Sequence, residues 1–106
     1  MLSAIKKWFG SSASPDFSKL MADGAIVLDV RSKGEFDSGH LKGAKHFPLD
    51  TLKQQVSQVK KFNKPVITVC RSGARSAAAK NLLNSAGVEA YNGGAWQTFN
   101  NKFKIN

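Results

Sequence analysis

The sequence predicts a single α/β domain with a largely parallel sheet of about four to five short strands and helices on both faces. Apolar runs rich in β-branched residues alternate with segments whose apolar residues recur at helical spacing. The two strongest runs are apolar on both faces, which is typical of central parallel strands. The chain has 106 residues, of which 42% are hydrophobic, enough for one domain with one core.

The N-terminal segment is predicted to be an amphipathic appendage and linker at residues 1–13, before one domain at residues 14–106. A helix this short is marginal in isolation, so we expect it to dock on the domain or fray and assign it no chemistry. Contact of residues 1–10 with a membrane surface or a partner is the less favoured alternative. The apolar residues of this segment fall on one helical face: Met1, Leu2, Ile5, Trp8 and Phe9.

Four strands are predicted. The stronger two are AIVLDV at 25–30 and VITVC at 66–70, and the weaker two lie at 44–47 and 88–91. Both strong runs contain several Val or Ile residues and are bounded by turn or loop residues. We therefore expect both to be central strands of the sheet and parallel to each other.

Three helices are predicted between and before these strands. The first begins with Ser14 as N-cap and Pro15 as first helical residue, and it ends before an Asp-Gly turn. Asp50 is predicted to cap a second helix, which carries Leu52, Val56 and Val59 on one side. The third spans residues 74–86 and stops at a glycine.

Charge and cysteine content exclude several classes of function. The net charge of +9 favours anionic ligands, but the lysines are spread along the chain without a nucleic-acid-binding motif, so we expect no nucleic-acid partner. The single cysteine makes an internal disulfide impossible, and neither histidine has metal-ligand spacing, so we expect no metal and no cofactor. No apolar run is long enough to cross a membrane. We expect a cytoplasmic monomer.

The segment most informative about function is VITVCRSGARS, in which a buried strand delivers Cys70 to a tight loop that runs into a helix. Ligands of open α/β sheets bind beyond the carboxyl ends of the strands, where the N–H groups of a helix N-terminus attract anions. We expect Cys70 to be a catalytic nucleophile. The residues expected to bind its substrate are those that follow it: Arg71, Ser72, Gly73, Ala74, Arg75 and Ser76.

The reactivity of Cys70 depends on the pKa of its thiol. A free thiol titrates near about 8.5, and a helix N-terminus or neighbouring arginines can lower that value to about 7 or below. Arg71 and Arg75, together with the helix end, can supply this stabilisation without a neighbouring general base. The alternative is an inert buried thiol, which the two arginines and the glycine-containing loop argue against.

This loop, CRSGAR, resembles the six-residue active-site loop of the rhodanese family. Two further segments resemble signatures of this family and occur in the order that the family has. Together with the loop they extend the resemblance over residues 25–99. It implies the rhodanese-like α/β fold and persulfide chemistry at Cys70. The segments are LDVR at 28–31, followed by EF at 35–36 and GHLKGA at 39–44, and YNGGAW at 91–96.

Three charged residues outside the loop are expected to support it. Asp29 ends the first predicted strand and therefore lies on the same sheet edge as Cys70, where it can hold the loop or orient its arginines. It is less suited to be a general base, because surrounding cations favour its charged form. Arg31 and Glu35 are four residues apart at a helix start, and we predict an ion pair between them.

The remaining residues of these signatures are given architectural roles. His40 is predicted to be a turn histidine bonded to backbone rather than an acid–base partner of Cys70, and His46 carries less signal. Gly93 and Gly94 are expected to let the backbone approach the active-site side and to begin the last helix. Trp96 is expected to be core or pocket wall.

The expected reaction moves a sulfane sulfur from thiosulfate, or another persulfide donor, through a Cys70 persulfide to cyanide or a thiol. Arg71 and Arg75 would bind the small anionic donor, and the loop N–H groups would stabilise the sulfur. Among rhodanese-like loops, these two arginines resemble the thiosulfate type rather than the less basic mercaptopyruvate type. A protein thiol is an equally suitable acceptor.

Two other functions compete with this assignment. Cysteine phosphatases and arsenate reductases also place Cys and Arg on such a loop, but usually with five intervening residues, whereas four separate Cys70 from Arg75. The shorter loop suits one sulfur atom rather than a phosphoryl group. A non-catalytic rhodanese-like binding module is the second alternative, although such modules usually lose the cysteine that this chain keeps.

Overall fold

The computed structural model describes residues 15–103, so the predicted appendage at 1–13 lies outside the described residues. The sheet has four parallel strands in the order β2-β1-β3-β4. The predicted α/β class and parallel sheet are confirmed. No helix in this part of the chain has the length and apolar content to cross a membrane. The strands are β1 (Ile26–Asp29), β2 (Lys45–His46), β3 (Val66–Cys70) and β4 (Ala90–Ala95).

The helices pack on both faces of the sheet. Val66 and Cys70 of β3 contribute to a core with α3, α4 and α5, whereas Ile67 and Val69 face the opposite core, which includes residues of α1 and α6. This alternation follows from the two-residue period of a strand, and every residue of β3 is buried. The helices are α1 (Phe17–Ala22), α2 (Lys33–Ser38), α3 (Leu49–Leu52), α4 (Val56–Phe62), α5 (Ala74–Ser85) and α6 (Trp96–Phe103), with a 3-10 turn (Lys53–Gln55) between α3 and α4.

Two predicted helix starts are wrong. Helix α1 begins after Asp16, whose carboxylate accepts a hydrogen bond from the Lys19 N–H at 3.0 Å, so Pro15 precedes the cap instead of opening the helix. Helix α3 begins directly after Pro48, which has no side chain able to accept a hydrogen bond, and Asp50 lies in its first turn. Neither proline is at the N1 position that proline prefers: Pro48 lies one residue before N1, and Pro15 lies two residues before it.

A β-bulge in β4 brings the end of this strand against the active-site loop. Thr68 of β3 pairs with Asn92 and Val69 pairs with Gly94, so Gly93 is the extra residue. Gly93 and Gly94 were expected to begin the last helix, but they lie within β4, and α6 begins at Trp96. The bulge brings position 93 so close to β3 that any side chain larger than that of glycine would have to displace its neighbours.

Replacing Gly93 with alanine should destabilise the fold by about 1–3 kcal/mol, as overpacking of a well-packed core usually does. An added Cβ would lie 2.8 Å from Ile67 Cγ2 and 3.1 Å from the Thr68 carbonyl oxygen. Urea unfolding followed by circular dichroism measures the loss. Gly34→Ala is the matched control, because no atom lies within 4 Å of its added Cβ. Equal stability of the two variants would contradict the close approach.

Candidate active site

The Cys70 sulfur lies at the carboxyl end of β3, enclosed by the loop that leads into α5. The residue has no exposed surface. The Gly73 N–H donates to Sγ at 2.9 Å, and the Ser76 hydroxyl lies 3.3 Å from the same atom. Gly73 is the N-cap of α5 with φ of 104°, a conformation that favours glycine. The loop therefore curls back so that its backbone donors point at the sulfur.

These donors determine the pKa of the thiol. Burial of Cys70 raises the pKa, because it disfavours the charged thiolate. Hydrogen bonds from the Ser76 side chain and from the backbone N–H groups of Ser76, Gly73 and Ser72 lower it, and the net shift of the pKa is downward. From the sequence, we expected Arg71 and Arg75 to supply part of this lowering of the thiol pKa. The structure adds the Ser76 hydroxyl and the loop amides, which touch the sulfur directly, and it also couples Arg75 to the sulfur, because a charged Cys70 raises the pKa of this arginine.

Arg75 is paired with Glu35 of α2. Its Nη1 and Nη2 donate to the two carboxylate oxygens at 2.7 and 3.0 Å, in bidentate geometry. Glu35 also accepts from the backbone N–H and the hydroxyl of Ser32, completing a capping box at the start of α2. These bonds hold the pKa of Glu35 well below its usual range, with Arg75 as the largest cause. The expected Arg31–Glu35 ion pair is therefore wrong.

Arg31 instead forms a buried ion pair with Asp29. The Arg31 Nε and Nη2 atoms donate to the carboxylate at 2.7 to 3.1 Å, and the Arg31 N–H adds a further bond. Nη2 also donates to the Gly39 carbonyl, and the guanidinium lies 4.9 Å from the centroid of the Trp96 ring. Asp29 was expected to hold the loop or orient its arginines. The described hydrogen bonds of its carboxylate go to Arg31 alone, so this side chain fixes the neighbouring edge of the sheet.

The other loop residues surround the sulfur from outside. Arg71, Ser72 and Ala74 are exposed. Arg71 makes no hydrogen bond or ion pair with any residue in 15–103, so its charge is not matched by a nearby carboxylate there. From the sequence, we expected Arg71 and Arg75 to bind the anionic donor together. The structure separates them into one unpaired cation and one that is paired with Glu35.

Both histidines bond to backbone carbonyls. His40 Nδ1 lies 2.7 Å from the Phe36 carbonyl, which agrees with its predicted role as a turn histidine, and His46 Nε2 lies 2.8 Å from the Arg31 carbonyl. The Phe36 ring stacks with both imidazoles. Within residues 15–103, no group of three His, Cys, Asp or Glu side chains is placed to hold a metal ion.

Asn92 is a further residue of the site, and it was not among those predicted from the sequence. Its side chain reaches the Ser76 hydroxyl at 2.6 Å, the Gly94 N–H at 2.9 Å and the Gly73 carbonyl at 3.2 Å. It therefore ties the β4 bulge to both ends of the active-site loop. The signal in the sequence was the Asn-Gly-Gly run, which marks irregular backbone with a polar side chain beside it.

Comparison with known proteins points to one family of domains. The family model for the rhodanese-like domain matches residues 14–100. A protein of Bacillus subtilis (strain 168), the uncharacterized protein YqhL, is 39% identical over 69 residues, covering 64% of this chain and 54% of its own length. The thiosulfate sulfurtransferase GlpE of Tolumonas auensis is 34% identical over 70 residues, covering 66% of this chain and 65% of its own. The chain thus spans less than two thirds of either relative.

A solved structure with the same architecture is the human single-domain sulfurtransferase TSTD1. It superposes on this chain with a TM-score of 0.67 at 28% sequence identity. The match covers 83% of this chain and 92% of the human protein. The family match covers most of the chain, which also has the parallel sheet and the cysteine loop at the sheet edge, so the chain belongs to the rhodanese-like domain family.

Proposed function

We propose that this protein moves a sulfane sulfur from thiosulfate, or another persulfide donor, through a Cys70 persulfide to cyanide or a thiol acceptor. The observation that carries the proposal is the enclosure of one sulfur atom by donors: the Gly73 N–H at 2.9 Å and the Ser76 hydroxyl at 3.3 Å. Donors placed this way stabilise negative charge on sulfur in the thiolate, and the same groups can stabilise a persulfide. The name of the Tolumonas relative supports thiosulfate as donor.

The reaction is a double displacement. The Cys70 thiolate attacks the outer sulfur of thiosulfate, a new S–S bond forms, and the old S–S bond breaks as sulfite leaves with its electron pair. Cyanide or a thiolate then attacks the outer sulfur of the persulfide, and the Cys70 thiolate is regenerated. Each step conserves charge, and neither needs an oxidant. Because Cys70 is fully covered, the loop must move aside for a donor to reach it.

Mass spectrometry of the intact protein tests this function. After exposure to thiosulfate and removal of excess reagent, the wild type should gain one sulfur atom, and cyanide should then remove it. Cys70→Ser is the matched control and should gain nothing, because the chain has no other cysteine. A wild type that takes up no sulfur, or a variant that takes up as much, would contradict the proposal.

We also infer the setting in which this chemistry takes place. A lone thiol persists in the reducing cytoplasm, and the acceptor there would be a small thiol or a protein thiol. The positive net charge favours anionic donors over neutral ones. We expect the protein to work as a monomer, with Gly73 and Ser76 of the same chain holding its sulfur.

A further inference from the structure

The orientation of the Asn92 amide is fixed by its two backbone partners. The Gly94 N–H can only donate, so the atom 2.9 Å from it must be the amide oxygen. The Gly73 carbonyl can only accept, so the atom 3.2 Å from it must be the amide nitrogen. The atom that faces the Ser76 hydroxyl at 2.6 Å is therefore Oδ1, an acceptor.

The Ser76 hydroxyl has one hydrogen and two neighbours that can accept it. Because Asn92 Oδ1 cannot donate, a contact of 2.6 Å requires the hydroxyl hydrogen to lie between these two oxygens. Towards Cys70, 3.3 Å away, Ser76 then presents only a lone pair. This arrangement suits a protonated thiol, whose S–H can donate to Ser76. It does not suit a thiolate, which has no hydrogen to offer.

We propose that Asn92 is a positioning residue that holds the Ser76 hydrogen away from Cys70 while the thiol is protonated and releases it to the sulfur when the sulfur becomes an anion. Asn92 can release this hydrogen at low cost, since Oδ1 keeps its bond from Gly94 and the exposed side chain can accept another from water. Asn92 and the anionic sulfur thus compete for one hydrogen.

The part that this hydrogen plays in the reaction cycle rests on the proposed function. In sulfur transfer, the hydrogen would turn to Cys70 when the thiolate forms. When the persulfide forms, the negative charge moves outward by one atom, and the hydrogen can return to Asn92. Asn92 would then adjust the resting protonation of the nucleophile without touching any substrate.

The charged side chains around Cys70 are the same in the wild type and in the variants Asn92→Ala and Ser76→Ala. They are Arg71 in the loop, Arg75 with its partner Glu35, and the buried pair of Asp29 and Arg31. None of these side chains has a described hydrogen bond to Asn92 or to the Ser76 hydroxyl. A change in thiol titration on altering Asn92 must therefore pass through the Ser76 hydroxyl or the loop backbone.

A double-mutant cycle separates these two routes. Asn92→Ala should lower the pKa of the Cys70 thiol. At pH values below the midpoint of the thiol titration, the fraction of thiolate should rise by about fivefold, which corresponds to one neutral hydrogen bond. Water that enters the vacated space can donate to the Ser76 oxygen, which Asn92 Oδ1 cannot do, so the Ser76 hydrogen is free to turn to the sulfur. Ser76→Ala should raise the pKa, because the thiolate loses a donor. In the Ser76→Ala background, Asn92→Ala should have no effect.

The measurement is a pH titration of thiolate ultraviolet absorbance, with Cys70→Ser as the blank. Asn84→Ala is the matched control: the Asn84 side chain also accepts a backbone N–H, that of Ala90, but it lies away from the loop. This control should titrate as the wild type does. An unchanged or raised pKa in Asn92→Ala, or an equal change with and without Ser76, would overturn the proposal.

A second measurement needs no alteration of Asn92. The chain has one cysteine, so its only S–H Raman band belongs to Cys70. At a pH where the thiol is protonated, the wild-type band should lie at the low frequency of a hydrogen-bonded S–H and should move to the unbonded frequency in Ser76→Ala. A wild-type band already at the unbonded position would contradict the assigned hydrogen direction. Neither readout involves sulfur uptake, so this inference and the proposed function can fail separately.

Discussion

Replacement of Arg31 with methionine should lower the free energy of unfolding by about 3–5 kcal/mol, the usual cost of removing one partner from a buried ion pair. The Arg31 side chain is 5% exposed and Asp29 is 0% exposed, so the substitution leaves a carboxylate buried without its cation. It also removes the bond to the Gly39 carbonyl. A domain of this size is stabilised by only about 5–15 kcal/mol in total, so urea unfolding measures the loss directly.

Two further variants show whether the buried charge is the cause. Adding Asp29→Asn to Arg31→Met should restore part of the stability, because the uncompensated charge is then gone. Lys19→Met removes the cation of an ion pair whose side chains are 72% and 59% exposed, and it should leave stability nearly unchanged. If Arg31→Met cost no more than Lys19→Met, the pair would be no more important than a surface contact.

The central strands and the cysteine loop could be predicted because their signals are local. A run such as VITVC is apolar at every position, and only a strand covered on both faces buries all of it. The loop follows immediately, so its place at the sheet edge comes with the strand. The start of α5 at Ala74 and its end before Gly87 were also readable, because glycine marks both helix ends.

The ion pairs could not be predicted, because sequence spacing does not determine which side chains meet. The spacing of Arg31 and Glu35 suggests a helical pair only if Arg31 is helical. Ser32 is the N-cap of α2, so Arg31 precedes the helix and turns back to Asp29. The capping box of Ser32 and Glu35 was a local signal for this boundary. The Glu35–Arg75 pair joins residues 40 positions apart and has no local signal.

Asn92 shows the same limit for polar networks. Its contacts with Ser76 and Gly73 depend on a bulge that shifts the register of β4 by one residue, which reverses the face on which later side chains lie. The two glycines indicate irregular backbone, but they do not say whether a bulge or a helix start follows. The packing of Gly93 against Ile67 decides between the two, and that contact exists only in the folded sheet.

The separate environments of the two loop arginines lead to the second large effect. Arg71→Met should lower the rate of sulfur uptake from thiosulfate by roughly tenfold to a hundredfold, the worth of charge-assisted hydrogen bonds to an anion. Arg71 is exposed and unpaired within residues 15–103, whereas the charge of Arg75 is already matched by Glu35. Stopped reactions analysed by intact mass give the uptake rate at several thiosulfate concentrations.

Arg75→Met is the matched comparison, because it removes the same charge from the same loop. It should slow uptake less than Arg71→Met, and the loss in Arg71→Met should shrink as salt screens the exposed charge. Removal of sulfur from the persulfide by a small thiol with no other charged group should change little in Arg71→Met, since thiosulfate takes no part in that step and the attacking thiolate carries a single charge. An equal loss in both variants would mean that Arg75 binds the donor despite its pairing with Glu35. An equal loss in uptake and removal would instead place Arg71 in stabilising the sulfur itself, a role that its exposed position beside the loop argues against.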